Sequence, residues 1–366
     1  MLTAAGRALG GARLADPQPL KSWARNDVWR CRVIAGPQSL PASIIVKHFK
    51  AERDRGFDDW ASLEFLTRAG AAPALGPRFL AGDATARVFV TEDLGAGRTL
   101  EDVLTGSDDK TASDAVVTLA QATGRLHAAT LDHHAEFDRL RDALAPRELT
   151  PISRAAAVLR AAEPALTGWL AAVGARVPRG LADGLAALAD AVEQPGAFTA
   201  FTHGDMAPSN NHISAVGLRL LDFEYGGVRS ALYDSLFWNL FCPLPPALIE
   251  RADAAYRRAL AATCTAALDD AVYAAARSVA VAWRTVNMLQ WFGPEALERD
   301  GPWAPGLTVR QASLWHVERF MAFGIGGSLA AMTDAVDRLA HALGARWRGE
   351  RERMYVWPAF RTAGQS

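Results

Sequence analysis

The sequence predicts an α+β fold in two lobes, a small β-rich N-terminal lobe over residues 1–94 and a larger, mainly helical C-terminal lobe over residues 95–366. Length is the first reason. With 366 residues, half of them hydrophobic, the chain buries more core than one domain of ordinary size needs. The second is a change of texture, from short β-rich runs before residue 94 to long alanine-rich helical patterns after residue 111.

Three runs, Val28 to Ala35, Ser43 to Phe49 and Ala86 to Asp93, are separated by Gly and Pro signals and read as strands of one small sheet. Between the second and third, Phe57 to Arg68 places Phe57, Trp60, Leu63 and Leu66 at helical spacing, so one helix interrupts the sheet. The lobe boundary is expected near Leu94 to Gly97. From Thr111 on, Val116, Leu119, Ala120, Thr123 and Leu126 mark a long helix, with caps offered by Ser113 and Asp114. Further helices are expected near 153–173, 181–192, 229–241, 246–291 with a break, and 308–345. β character returns only over 198–223, as two or three short strands around a polar loop. Gly293 to Gly306, with three prolines and three glycines, reads as a loop inside the helical lobe.

Basic residues number 39 and acidic residues 40, so no global field draws the chain to nucleic acid or an anionic membrane. Cys31, Cys242 and Cys264 are far apart and odd in number, which fits neither a disulfide framework nor a zinc site and suits a reducing cytoplasm. The first twenty residues carry Arg7, Arg13 and Asp16 and lack the apolar core of a signal peptide. No run reaches the roughly 18 apolar residues of a membrane span. The expected partners are therefore small molecules, not nucleic acid or membrane, bound by a monomer or homodimer.

The chemistry is concentrated in Phe201-Thr-His-Gly-Asp-Met-Ala-Pro-Ser-Asn210 and, after a short connection, Leu220-Leu-Asp-Phe-Glu-Tyr225. A lone Asp or Asn in a polar loop is a turn former or cap. Spacing sets these apart: Asn210 lies five residues after Asp205, and Asp222 twelve after Asn210, each beside an apolar strand. Phosphoryl transfer needs such a set, one carboxylate to orient and deprotonate a hydroxyl, and an amide oxygen with a second carboxylate to hold magnesium on nucleotide phosphates.

His203-Gly-Asp205 with Asn210, and Asp222-Phe-Glu-Tyr225, resemble the catalytic and metal loops of the aminoglycoside phosphotransferase and choline kinase superfamily, whose fold is protein-kinase-like. Val88-Phe-Val-Thr-Glu-Asp-Leu-Gly95 is similar to its hinge strand and Gly124-Arg-Leu-His127 to the helix ahead of its catalytic loop. The resemblance runs from about Trp23 to Leu240. It implies ATP, or GTP in its place, with Mg2+ as cofactors. It implies Asp205 as catalytic base, Asn210 and Asp222 as magnesium ligands, Lys47 on the phosphates, and Glu92 and Leu94 at the nucleotide. His203 reads as a hydrogen-bonding residue that fixes the loop. Asp234 is either a brace of the catalytic loop or a simple helix-terminal carboxylate.

Two departures stand out. Ser22-Trp-Ala-Arg-Asn-Asp-Val-Trp29, where a glycine-rich phosphate loop would lie, has no glycine; Ser22 and Asn26 are its candidate donors, unless it is an ordinary hairpin turn. The resemblance puts Asp59, one methylene shorter than the family's glutamate, opposite Lys47; either Asp59 or Glu64 pairs with the lysine, or the pair forms only when nucleotide binds.

The superfamily's acceptors range from antibiotics to choline, ethanolamine, homoserine and sugars. Glu224, beside Asp222, is the candidate contact for a cationic acceptor. Trp283, Asn287 and Trp291 share a helix face that could attract a cation, although core packing is the plainer reading. The resulting expectation is O-phosphorylation of an aminoglycoside or cyclic peptide antibiotic, conferring resistance. A choline- or ethanolamine-type metabolic kinase comes second, and a kinase-like protein that binds without turnover third.

Overall fold

The computed structural model describes residues 1–304 and 306–361, so Pro305 of the predicted loop lies outside them. Its N-terminal strands are β1 (Arg13–Ser22), β2 (Asn26–Ala35), β3 (Ser43–Phe49), β4 (Phe79–Asp83) and β5 (Val88–Glu92), in one sheet of order β1-β2-β3-β5-β4. All neighbours are antiparallel. Alternation sorts the faces. Ile44 and Val46, with Val88, Val90 and Cys31, pack against Ala5 and Leu9 at the helix α1 (Leu2–Ala8). Lys47 therefore points to the other face, paired in register with Val28 and Phe89.

β1 and β4 fall outside the predicted strands. Pro17 and Pro19 interrupt the β1 pattern, and its pairing with β2 carries three register shifts; β4 is short, with a glycine at Gly82. The interrupting helix, α2 (Arg53–Arg68), starts four residues earlier than predicted and buries Phe57, Trp60, Leu63 and Leu66.

By residue contacts the chain forms two compact units, one gathering Met1–Val103, Asp132–Glu148 and Phe201–Val228, the other the remainder. In the first, Phe65, Phe137 and Phe201 are fully buried with ring centroids 4.9–5.8 Å apart, and Phe223 lies 6.2 Å from Phe201. Burying four aromatic rings gives both chemical segments, 201–210 and 220–225, one rigid floor.

The second unit is helical. Its helices include α3 (Asp109–Thr130), α4 (Pro151–Arg160), α5 (Glu163–Ala172), α6 (Leu181–Glu193), α7 (Pro246–Leu260), α8 (Asp270–Phe292), α9 (Val309–Ala322) and α10 (Ala330–Arg346). Asp108, not Ser113 or Asp114, caps α3 by accepting from the Thr111 N–H. A Cβ on Gly124 would lie 2.5 Å from the Tyr256 carbonyl oxygen, so this glycine is what lets α3 and α7 touch. The single helix expected over 153–173 is two, parted before Pro164.

The helix expected over 229–241 is not an α-helix. The segment runs as a strand (Gly227–Ser230), a 3-10 turn (Ala231–Tyr233) and a π turn (Phe237–Phe241) closed by Cys242 N–H donating to the Phe237 carbonyl. It is buried nearly all round, so its apolar run has no helical period, and Pro243 and Pro245 stop it. Trp283 is buried 4.5 Å from the Tyr233 ring, as core packing predicts, whereas Trp291 is exposed. Among the described residues no helix is long and apolar enough to cross a membrane.

Candidate active site

The site lies within the first unit and is built around Lys47. Its ammonium donates to Asp59 Oδ2 at 2.5 Å and to Asp222 Oδ1 at 3.1 Å. Asp59 also accepts the Phe223 N–H at 3.1 Å, so one carboxylate on α2 ties the β3 lysine to the Asp222 loop. Glu64, the alternative partner, is taken by the Trp60 indole and Arg68. Burial works against charge on Lys47, but Asp222 and Asp59 outweigh it and hold the ammonium well above the ordinary lysine range. The same ammonium pulls Asp222 well below the carboxylate range. Asp59 is raised, because its burial and the charge of Asp222 exceed the help from Lys47. Asp222 sits at φ 63°, a left-handed conformation that costs a non-glycine residue about 1–3 kcal/mol and aims its carboxylate at two lysines.

A hairpin, β6 (Asn211–Ser214) and β7 (Gly217–Leu220), closes the twelve-residue gap between Asn210 and Asp222. Asn211 pairs with Leu220, and the Leu221 N–H donates to the Asn210 carbonyl at 3.0 Å. His203 spans the two loops: its Nε2–H donates to the Leu221 carbonyl at 2.8 Å, and its Nδ1 accepts the Asp205 N–H at 3.3 Å. Asn210 Nδ2 donates to the Asp205 carbonyl and to Oδ2, both at 3.1 Å, and its amide oxygen accepts only a long 3.4 Å bond from the Ser209 hydroxyl, one that a cation could replace. An amide oxygen and a carboxylate, from Asn210 and Asp222, would suit magnesium, a hard cation that takes few protein oxygens and completes its shell with phosphate and water, and Asp205 is left beside them for a hydroxyl.

The turn between β1 and β2 bears cations. Lys21 Nζ lies 3.5 Å from Asp222 Oδ2, and Arg25 bridges Glu224 (3.2 Å) and Glu52 (3.5 Å). Ser22 is committed to the turn, donating to Asp27 at 2.6 Å, while Asn26 lines the cavity beside Lys47. That cavity, shared with Arg25, Asp59, Phe89 and Glu224, holds about 20 Å3, room for a single water. Burial raises the Glu224 carboxyl, the charge of Asp222 adds to this, and Arg25 opposes it.

The Glu92 carboxylate accepts the Arg78 N–H at 3.2 Å and lies 3.7 Å from Arg219. Leu94 bonds His212 through its backbone. A nucleotide would meet main chain here, not free carboxylates. Asp234 belongs to the second unit, where it accepts from His127 Nε2 at 3.0 Å. The Tyr256 hydroxyl lies 2.9 Å from His127 Nδ1 and donates to the Ala231 carbonyl, so a fully buried polar chain runs from Asp234 through His127 to Tyr256.

Sequence reasoning passed over Lys21, Arg25, Asn211 and the His127–Tyr256 pair. Asn211 is buried and holds the catalytic loop, accepting the Leu100 N–H at 2.8 Å and donating to the Pro208 carbonyl at 2.9 Å. The available signal was two basic residues flanking a turn without glycine; nothing marked Asn211 beside Asn210.

A sheet lysine locked to a helix carboxylate, with an Asp–Asn loop and an Asp-Phe loop joined by a two-stranded hairpin, makes a kinase-like phosphotransferase site. The chain belongs to the Phosphotransferase enzyme family, whose pattern matches residues 18–269. It is a small-molecule kinase with an alcohol group as acceptor, on the two-lobed α+β fold expected. No curated protein matches it. Similar solved structures include a choline kinase from Cryptosporidium parvum Iowa II (11% identity, 91% of this chain and 92% of that one, TM-score 0.47). A macrolide 2'-phosphotransferase from Brachybacterium faecium (18%, 76% and 96%, 0.43) and APH(2")-IIa in a ternary complex with streptomycin and ATP (15%, 80% and 90%, 0.46) are also similar.

Proposed function

We propose that this enzyme transfers the γ-phosphoryl group of ATP, as its magnesium complex, to a hydroxyl of a small cationic molecule, with an antibiotic of aminoglycoside or cyclic peptide type first in rank. The observation that carries the reading is the oxygen set of Asp205, Asn210 and Asp222 beside Lys47. Asp205 orients the acceptor hydroxyl and takes its proton as the new O–P bond forms and the bond to the leaving diphosphate breaks. Asn210 and Asp222 hold the magnesium, which neutralises phosphate charge when bound. Lys47 keeps its proton and contacts the phosphates. GTP is accommodated if the hinge is read through its main chain.

The 20 Å3 cavity is far too small for a nucleotide, so on this reading a nucleotide whose phosphates reach Lys47 displaces the turn between β1 and β2. Lys21 and Arg25 then exchange Asp222 and Glu224 for phosphate oxygens, the work that glycine backbone does elsewhere. Arg25 leaving Glu224 frees a half-buried carboxylate for a cationic acceptor, which supports nucleotide binding before acceptor. The same carboxylate would suit choline or ethanolamine, the second reading.

The test is acceptor-dependent ADP release against a panel of antibiotics and amino alcohols, with product mass checked for one added phosphoryl group. Turnover with an aminoglycoside or cyclic peptide supports the first reading, and turnover with amino alcohols alone the second. Nucleotide binding without any product would leave a binding protein.

A further inference from the structure

The second unit holds a cavity of about 720 Å3, a size that suits a small organic ligand, and it shares no residue with the site around Lys47. Its walls come from α7, α8, α9 and Asn239. Four arginines, Arg257, Arg258, Arg277 and Arg319, line it against two carboxylates, Glu250 and Asp253, in a chain of near-zero net charge.

Asp253 is fully engaged. It accepts from Asn239 Nδ2 (3.0 Å), the Tyr273 hydroxyl (3.2 Å) and Arg277 (2.6 Å). Arg257 is taken up by Asp270 and by the Ala267 and Leu268 carbonyls. Arg319 differs: its Nε donates to the Asn239 carbonyl at 3.0 Å, and among the described residues no carboxylate pairs with it. Arg277 and Arg319 both lie against the Phe323 ring, at 5.1 and 5.4 Å, so two guanidiniums share one aromatic wall while only Arg277 has a carboxylate, Asp253. Burial and the neighbouring Arg277 charge both push the Arg319 guanidinium below its ordinary range. Partly desolvated like charges repel, and an anion between them would relieve that cost.

We propose that this cavity is a binding site for a small organic anion, whose carboxylate or phosphate head is held by Arg319 and Arg277 and whose apolar body packs on Phe323. Guanidinium forks match both head groups in bidentate geometry, and Phe323, Ile249 and Leu268 supply the apolar wall. The site stands whether or not the phosphotransfer reading holds, since its test needs no turnover.

Calorimetric titration of the full chain with benzoate, phenyl phosphate and neutral benzyl alcohol decides it. At least one anion should bind while the alcohol does not, and the tighter anion identifies the head group. Arg319→Gln should raise that dissociation constant at least ten-fold and leave ATP binding unchanged. Ala254→Glu, at an exposed position lining the cavity, fixes a carboxylate inside it and should raise the melting temperature while abolishing anion binding. Should Arg319→Gln fail to fold, the Ala254→Glu result decides alone. No anion binding, or binding indifferent to both substitutions, overturns the proposal.

Discussion

The loop that carries Asp205 and the turn between β1 and β2 border the same chemistry and are held by opposite means. The first is fixed by directional, part-buried hydrogen bonds from His203, Asn210 and Asn211, with the Asn211 bond to the Leu100 N–H fully buried. The second is held by ion pairs from Lys21 and Arg25, whose side chains are more than a third exposed. Buried neutral hydrogen bonds cannot trade partners without leaving a polar group unsatisfied. Exposed ion pairs are worth about 0–1 kcal/mol and exchange readily for a better anion. Under the proposed function, the reacting groups would sit on a fixed frame and the phosphate contacts on a movable one.

The largest test of the fixed frame is Asp205→Ala. Loss of a general base should lower turnover by about 10²–10⁴-fold. Nucleotide affinity, measured by titration, should stay within a few-fold. Turnover near wild type would remove Asp205 from that role. Asn211→Ala, which touches no reacting group, strands the buried Leu100 N–H, while the Pro208 carbonyl keeps the Glu101 N–H. It should cost about 1–3 kcal/mol of stability in denaturant melts and lower turnover more than nucleotide affinity. An unchanged midpoint would mean the loop stands without it.

The movable turn is tested by Arg25→Ala and Lys21→Ala. If these cations pass to phosphate, each substitution should raise the Michaelis constant for ATP by about ten-fold, near 1.4 kcal/mol, and added salt should raise the wild type's constant more than that of either variant. A change in turnover alone, with ATP binding intact, would make them structural partners of Glu224 and Asp222.

The contrast also explains what the sequence made legible. Asp205, Asn210 and Asp222 lie within eighteen residues, on one loop and one hairpin, so their spacing reports their geometry. Lys47 and Asp59 are one strand and one helix apart, and the apolar alternation of Ile44 to Phe49 gives the lysine its face. Lys21 and Arg25, by contrast, meet carboxylates some two hundred residues on, and only the folded sheet brings Asp222 and Glu224 to them. The segment 229–241 was misread for a related reason: burial on all sides removes the periodicity from which a helix is inferred.

The smallest effect is in pH, and it separates the two carboxylates that the turn covers. Asp222 is depressed by Lys47, so it contributes stability that is present above the ordinary carboxylate range and lost as pH falls below it. Glu224 has the opposite sign. Its folded carboxyl is raised by burial and by Asp222, so between the ordinary and the raised value the folded chain keeps a proton that the unfolded chain has lost. Stability falls as pH rises through that window, and the deficit persists at neutral pH. Glu224→Gln removes the titration. Its melting temperature relative to wild type should therefore be higher at pH 7 than at pH 4. Arg25→Ala withdraws the charge that opposes the shift, so the same difference should widen in that background. A difference that does not change with pH would mean that burial and Asp222 do not hold the Glu224 carboxyl up, and one that ignores Arg25 would mean that Arg25 is not what compensates its charge. Either result would remove the ground for Arg25 handing a partly desolvated Glu224 carboxylate to a cationic acceptor when the turn moves.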